Sequence, residues 1–591
     1  MMSLRGMGSR KAASMCLTAL VFLLGAAWSA QASADEENPG LLAPRYPTPE
    51  DCPRFAKPQF LSLPLTMAYP GIEYNIRPAI KGGTYPYAFR LAKAPKGMTI
   101  DPKKGTVIWT PPKVEGKTFP VEILVKDTAG RTATQAFEVT VTRKGFYFAS
   151  PEGDDAAAGT IEKPWKSFMR AWSAEGIEDV STAVIYLRGG EYKIDRPAAP
   201  GSKVSNKMGF GKGRPLRWIA FPGEKPVIDF GWSAERWKAI LEKQKAAGVK
   251  RPTTRAYGHR FTLFRGADGF YFDGIEVKNT CYYAFMMWNG LKNVTWRRCH
   301  FHHLYSEAGE NSSFIHTKSQ GGRTNTWGMR PKIGAFQHLI IQDCRFSDRF
   351  FWPPRSGHGG AIVWYSVHNS MIEDSLFERI AGTGSMAVIN DKDNGEGNTY
   401  RGNVIHDAHG LGILGQNYCD EIEISHNRVF GALSSGLGHG WVRNIWIHHN
   451  TIHGPVKLLL GGTKPPRRLE EEGDFSSIWT PDVVRIVREL PADKRTIHFY
   501  GNIVASRDDG RAALVLMNGK WYAERYRFIR FEDNLIGSNV KILARHEKRR
   551  SWDAAKLKDA GFHPSNVVAP LTLDTDGCLP RESPYSGKYG R

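Results

Sequence analysis

A short hydrophobic pattern recurs along this chain: alternating apolar residues, two mostly polar ones, then Asn, Cys, Gly or Ser, and an apolar residue two further on. Nine copies start at Phe270, Val294, Leu339, Ser370, Thr399, Ile422, Ile445, Ile497 and Ile529, and Ile422-Glu-Ile-Ser-His-Asn-Arg-Val is typical. The column residue falls at 274, 299, 344, 375, 403, 427, 450, 502 and 534. The smallest steps are about 24 residues, a solenoid period. Period-two alternation predicts strands. Each strand is too short to bury its apolar face alone, whereas coils stacked at about 4.8 Å share one continuous core. Asn403, Asn427, Asn450, Asn502 and Asn534 are expected to form an inward ladder, their side-chain amides bonding from coil to coil. Cys299 and Cys344 share the column and read as small buried residues, not as a reactive pair.

Function in a solenoid belongs on one face, built from insertions and outward side chains. The oversized steps predict insertions near 305–334 and 454–494, with a shorter one at 350–360 and another near 231–260. Thr480-Pro-Asp-Val-Val-Arg-Ile-Val-Arg-Glu-Leu predicts a capped helix. A second helix is expected over 233–245, with Trp237, Ile240 and Leu241 on one face. Between the ladder motifs a further set of strands begins at Gly360, Gly384, Gly410 and Gly436. Aligned on those glycines, they bring Tyr365, Asn390, Asp391, Lys392, Gln416, Asn417 and His439 towards one end of adjacent coils, with His358 and His409 at the other.

Ahead of the repeats, residues 61–143 alternate short β-rich runs with turn residues, which predicts a small sandwich. Its stretch Pro95-Lys-Gly-Met-Thr-Ile-Asp-Pro-Lys-Lys-Gly-Thr-Val-Ile-Trp-Thr-Pro-Pro resembles the immunoglobulin-like, cadherin-like modules of bacterial surface and secreted proteins. That resemblance implies a spacer, a ligand-binding appendage or a cap on the next domain, and no catalysis. At the start, Arg10 and Lys11 precede an apolar run over 15–28 that ends in Ala32, Ser33 and Ala34 before Asp35. This reads as a signal peptide cleaved after Ala34, followed by a linker over 35–60. No later run reaches the length of a transmembrane segment, so an exported protein, secreted or periplasmic, is expected.

Composition adds a partner. Lys+Arg 80 against Asp+Glu 59 gives +21, and +18 remains once Arg5, Arg10 and Lys11 leave with the signal. For an exported chain this points to acidic polysaccharide or an anionic envelope and away from nucleic acid. The seven cysteines have neither zinc-motif nor disulfide-framework spacing. No dinucleotide fingerprint, Walker loop, serine elbow or Asp-x-Asp calcium loop is present. Nothing specifies an oligomeric state.

The repeats, together with the entry run from Phe146 and the closing run from Leu573, resemble the right-handed parallel β-helix proteins of the pectate-lyase-like superfamily. The resemblance implies an all-β fold in which 144–591 form that β-helix after the immunoglobulin-like β-sandwich, and action on carbohydrate. The stretch from Phe377 to Asn403 is similar to the catalytic stretch of the alginate lyase and chondroitinase B family. By that match Lys392 takes the place of the base lysine in a β-elimination across a uronate, which also needs a proton donor and a cation on the carboxylate. Ca2+ is the cofactor the family suggests, but Met386 and Val388 stand where its calcium-binding acids would be, so no metal ligands are assigned. Catalytic candidates are therefore Lys392, His439, His409, His358 and Tyr365. Asn390, Asp391, Gln416, Asn417, Arg355, Arg345 and Lys318 are candidates for binding substrate, with Glu307 and Glu310 in reserve. Two other readings stay open: a glycoside hydrolase, using two of Asp391, Asp393, Glu396 and Asp407, and a non-catalytic glycan-binding surface protein.

Overall fold

The computed structural model describes residues 46–591 except 174–175, 195–206, 211–216, 256–259, 264–266, 289, 308–310, 319–335, 353–357, 382, 393–394, 409, 417–418, 431, 436–442, 455, 459–496, 506–513, 517–528, 547, 554–563, 575–577, 587 and 590–591. The signal peptide and the helix expected from Thr480 lie outside these residues.

The repeats wind into three parallel sheets. Sheet 1 runs from Phe146–Ala149 to Ile529–Glu532, sheet 2 from Gly190–Lys193 to Val567–Ala569, and sheet 3 from Lys207–Phe210 to Lys541–His546. One coil passes through Lys292–Arg297 in sheet 1, His300–Glu307 in sheet 2 and Asn311–Lys318 in sheet 3, then returns to sheet 1 at Phe336–Gln342. This is a parallel β-helix. Inward residues of successive coils stack on their own kind: the rings of Phe301, Phe346 and Phe377 follow one another at 5.1 and 4.9 Å, nearly parallel.

The turn from sheet 1 to sheet 2 explains the column seen in the sequence. Arg298, Asp343, Asp374, His426, His449 and Asp533 all adopt left-handed φ there, and Gly274, Gly402 and Gly501 fill the same position in other coils. That conformation costs a non-glycine residue about 1–2 kcal/mol. The next residue of each coil helps to offset it, because the ladder forms. The Nδ2 of Asn403 donates to Asn427 at 3.0 Å, Asn427 to Asn450 at 2.9 Å, Asn450 to Asn502 at 3.0 Å, and Asn502 to Asn534 at 3.1 Å. Asn534 continues it to Asn566 at 3.0 Å, a rung that the sequence pattern does not reveal. Gly274 holds the left-handed position, so the column proper begins one residue later, at Ile275.

The N-terminal module is a sandwich. A four-stranded sheet includes Lys117–Lys126 and Thr132–Val141, a three-stranded sheet includes Tyr74–Ile76 and Val107–Trp109, and Trp109, Ile123, Val125 and Val139 are buried in one cluster. It is not a free appendage. Arg77 reaches from the module to Asp343 at 2.7 Å, Asp374 at 2.7 Å and Glu373 at 3.2 Å on the β-helix. Arg401 joins Glu373 from the other side at 2.5 Å and donates to the Tyr87 hydroxyl at 2.9 Å. Residues 46–60, read from sequence as linker, pack against the β-helix too: the Phe55 ring meets Trp446 edge-on at 5.7 Å, and Arg54 pairs with Glu396 and Glu421. The module thus roofs much of the outer face of sheet 1.

Two other expectations can be compared with the structure. The helix Ala234–Ala246 forms, with the Ser233 hydroxyl accepting the Arg236 amide and with Trp237 and Leu241 buried. The insertion at 305–334 is narrower than the spacing suggested, since Asn311–Lys318 is a regular strand of sheet 3. Cys52, Cys281, Cys299, Cys344 and Cys419 are buried thiols, and Cys578 is a partly exposed one. Among the described residues, no helix is long and apolar enough to cross a membrane.

Candidate functional site

Sheet 3 gathers titratable side chains on its outer face. Its register aligns His316 with Val363 and Asn390 in one row, and Tyr365 with Lys392 and Gln416 in the next. Alternate residues of a strand share a face. His316, Lys318, Val363, Tyr365, Asn390 and Lys392 therefore point away from the lumen, while Ile315, Ile362, Trp364 and Asp391 point into it.

His316 is the centre of this face. Its ring lies 5.0 Å from the Tyr283 ring and 5.6 Å from that of Tyr365, and the Ser313 hydroxyl is 3.1 Å from its Nδ1. Lys392 Nζ sits 4.4 Å above the Tyr365 ring, Lys318 Nζ 5.2 Å above Trp288, and the Arg260 guanidinium 5.6 Å from the Tyr283 ring. Burial, and then the charges of Lys392, Lys318, Arg260 and Arg255, hold the His316 pKa well below 6.5. The result is a neutral imidazole ringed by cations. The buried ring has a free nitrogen lone pair at neutral pH, while the cations attract an anion.

Three expected residues, Tyr365, Lys392 and Lys318, do come together here. Lys392 lies opposite Tyr365, where a plain alignment on the glycines would have set Ile389; on its other side the strand Thr383–Lys392 carries a register shift between Thr383 and Ala387 against Gly410–Gln416. Asn390 shares the face but is fully buried, its Nδ2 donating to the Ala387 carbonyl at 2.9 Å. Asp391 does not share it. Its side chain is buried in the lumen, accepting Asn398 Nδ2 and the Tyr400 hydroxyl at 2.7 Å each, out of reach of a ligand on the outer face. Arg345 is on sheet 2, paired with Glu378, and so belongs to a different face. Only the backbone of His358 and Gln416 is placed, His358 beside Asn311 and Gln416 opposite Lys392. Arg355, His409, Asn417 and His439 lie outside the described residues, as do Glu310 and Asp393. Glu307 is buried, accepting from Trp237 Nε1 at 3.0 Å and the Tyr282 hydroxyl at 2.7 Å.

His316 falls inside the insertion that the repeat spacing predicts over 305–334, so the spacing does not single it out. The signal was there: Ser312-Ser-Phe-Ile-His-Thr-Lys alternates as a strand should. The described carboxylates proposed for hydrolysis do not face one another: Asp391 is in the lumen, Glu396 pairs with Arg54 of the N-terminal segment, and Asp407 binds His406 beside sheet 2. Nor does the His316 face suit calcium, which takes six to eight oxygen ligands, carboxylates prominent among them. Its described side chains offer an imidazole, phenols and cations.

Asp391 itself yields a test. Burial pushes its carboxyl up to about 7, against the lowering effect of its bonds to Asn398, Tyr400 and Cys419. The folded protein thus keeps a proton that the unfolded chain releases near the ordinary value of 3.8. By linkage, stability falls as pH rises from about 4 to about 7 and stays lower above that. Asp391→Asn keeps an oxygen for both donors and removes the ionisation. It should be more stable than the parent by a few kcal/mol at about pH 8 and about equal near pH 4, read from denaturation midpoints at the two pH values.

The comparisons concern the module and the fold. Residues 58–142 match the family described as "Putative Ig domain". No curated protein matches the chain in sequence. Among solved structures, a rhamnogalacturonan lyase is 11% identical with a TM-score of 0.36, over 75% of this chain and 96% of that one. Pectate lyase Pel9A is 14% identical at 0.37, over 74% and 87%. The family 28 exopolygalacturonase of Yersinia enterocolitica is 12% identical at 0.34, over 87% and 99%. The chain is a parallel β-helix preceded by an immunoglobulin-like module, residues 58–142, of the family that this match names.

Proposed function

We propose that this chain is an exported, polysaccharide-active enzyme, a lyase that cleaves an acidic, uronate-containing polysaccharide by β-elimination on the outer face of sheet 3. The observation that carries the reading is the His316 imidazole between the Tyr283 and Tyr365 rings, with Arg260 over the first ring and Lys392 over the second. Elimination begins with loss of the proton on the carbon next to the carboxylate. That carbon is acidic enough to react only if positive charge meets the carboxylate as it takes on enolate character. His316 accepts the proton, and Lys392, Lys318 and Arg260 supply the charge. The electron pair left behind forms the new double bond as the bond from the β-carbon to the glycosidic oxygen breaks. A phenol, Tyr365 or Tyr283, donates a proton to that departing oxygen.

This assignment changes the role of Lys392. The family resemblance makes it the base, but a cation over the Tyr365 ring is the arrangement an ammonium takes, and a neutral acceptor already stands beside it. Lys392 is better used on the carboxylate. Tyr365 and Lys318 keep the places that the sequence proposed for them.

The test is to incubate the mature protein with a panel of uronate polysaccharides, with and without calcium, and follow the ultraviolet absorbance of the unsaturated product. Absorbance should rise on at least one substrate, with no calcium requirement. New reducing ends without that absorbance would replace elimination by hydrolysis. Salt-sensitive binding with no product of either kind would leave a glycan-binding protein.

A further inference from the structure

The outer face of sheet 2 carries a separate cluster that the proposed reaction does not use. His300 and His302 are alternate residues of the strand His300–Glu307 and share a face. Glu276, on the neighbouring strand, stands in register with His300. One nitrogen from each imidazole and one oxygen of Glu276 lie within 4.8 Å of one another. His302 Nε2 is 2.9 Å from Glu276 Oε1, and the two imidazoles stack with centroids 4.3 Å apart. We propose that Glu276, His300 and His302 form a binding site for a divalent transition-metal ion of the zinc type, with one coordination position left to water.

The donor set suits such an ion. Two imidazoles and a carboxylate are borderline-soft ligands that hold Zn2+ in three positions of a tetrahedron, whereas calcium and magnesium prefer oxygen alone. A tetrahedron with bonds of about 2.0–2.1 Å needs donor separations of roughly 3.3–3.4 Å. One pair here stands at 2.9 Å and none exceeds 4.8 Å, so small rotations of the half-buried side chains bring the donors to it.

The surroundings prepare the ligands. His303 Nδ1 lies 2.5 Å from His302 Nδ1, and its φ of 54° breaks the strand alternation that would otherwise send neighbouring side chains to opposite faces. To bind an ion through Nε2, a neutral His302 must carry its proton on Nδ1. His303 Nδ1 is placed to accept that proton's hydrogen bond, the usual second partner of a metal-bound imidazole. Ser347, 3.2 Å from His300 Nε2, orients the other ring. The nearby cations have acids of their own: Arg345 pairs with Glu378, and Lys278 with Glu191 and Asp229. Asp348, also close to His303, is taken up by Arg379.

The experiment uses the tag-free mature protein stripped with a chelator and dialysed against Zn2+, with bound metal measured by elemental analysis. One Zn2+ should be retained per chain. Glu276→Gln and His302→Ala should each weaken binding by at least the about 10–100-fold that loss of a mere second-sphere partner costs. Circular dichroism matching the parent would show that both variants still fold. His316→Gln, on the other face, should keep the ion, so the result is independent of the proposed lyase. Co2+ in place of Zn2+ should give the visible bands of a tetrahedral site. Failure of the parent to retain Zn2+, or equal retention by a folded Glu276→Gln/His302→Ala double variant, would overturn the site.

Discussion

Replacing His316 with Gln should lower kcat by about 10²–10⁴-fold, the usual contribution of a positioned acid or base, while substrate binding changes little. The amide keeps much of the imidazole's bulk and polarity but cannot take the proton. The pH profile checks the same assignment from another side. Because burial and four neighbouring cations hold the His316 pKa well below 6.5, the basic form is present throughout the neutral range. The acid limb of kcat/KM should therefore fall at a pH clearly below that of an ordinary histidine, where the imidazole finally becomes protonated and inactive. Lys392→Ala, by contrast, should act through the carboxylate. It should raise KM and depress kcat together, and Lys392→Arg should recover part of the loss because the charge returns. If His316→Gln turned over at the parental rate and Lys392→Arg were dead, the base would be Lys392 as the family resemblance implies.

The second large effect is on stability. Glu373 is buried between Arg401 of the β-helix and Arg77 of the N-terminal module, and its Oε2 also accepts a hydrogen bond from Gln342 Nε2 at 2.9 Å. Burial alone would raise its pKa, but the two guanidiniums and Gln342 hold it below the usual 4.5. Glu373→Ala leaves both arginines short of their shared carboxylate, and breaking one side of a buried ion pair costs about 3–5 kcal/mol. The loss should appear as a lower denaturation midpoint and as faster proteolysis between module and β-helix, with KM for substrate unchanged. The sign with pH follows from the depressed pKa. The parent's extra stability is present above pH 4.5 and fades as pH falls through the lower folded value, so the gap between parent and variant should close in acid. Equal midpoints at neutral pH would mean that the module is held by its apolar contacts instead.

The roof over sheet 1 also bears on where substrate can go. Arg77, Tyr87 and Phe55 pack on that side, and among the described residues the outer face of sheet 2 carries imidazoles with a carboxylate and that of sheet 3 an imidazole with cations. The same coil supplies both, His300 and His302 from its second strand and His316 from its third.

The sequence by itself determined the solenoid, its period and the ladder from Asn403 to Asn534, because those depend on local alternation and on a side chain that must recur at one turn of every coil. It also placed the sandwich and the helix over 233–245, which rest on short-range turn chemistry and on one apolar helix face. Tertiary structure decided the rest. Whether Asp391 faces the lumen and Lys392 the outside depends on strand register, since a shift of one residue exchanges the two faces. The pairing of Ile389–Lys392 with Ile362–Tyr365 shows that register. His316 could be recognised only once Asn311–Lys318 was seen to pair with Tyr283–Trp288, which brings its ring beside those of Tyr283 and Tyr365. The latch between Arg77 and Glu373 joins residues 296 positions apart, and no local pattern records a contact made only when two separately patterned units meet.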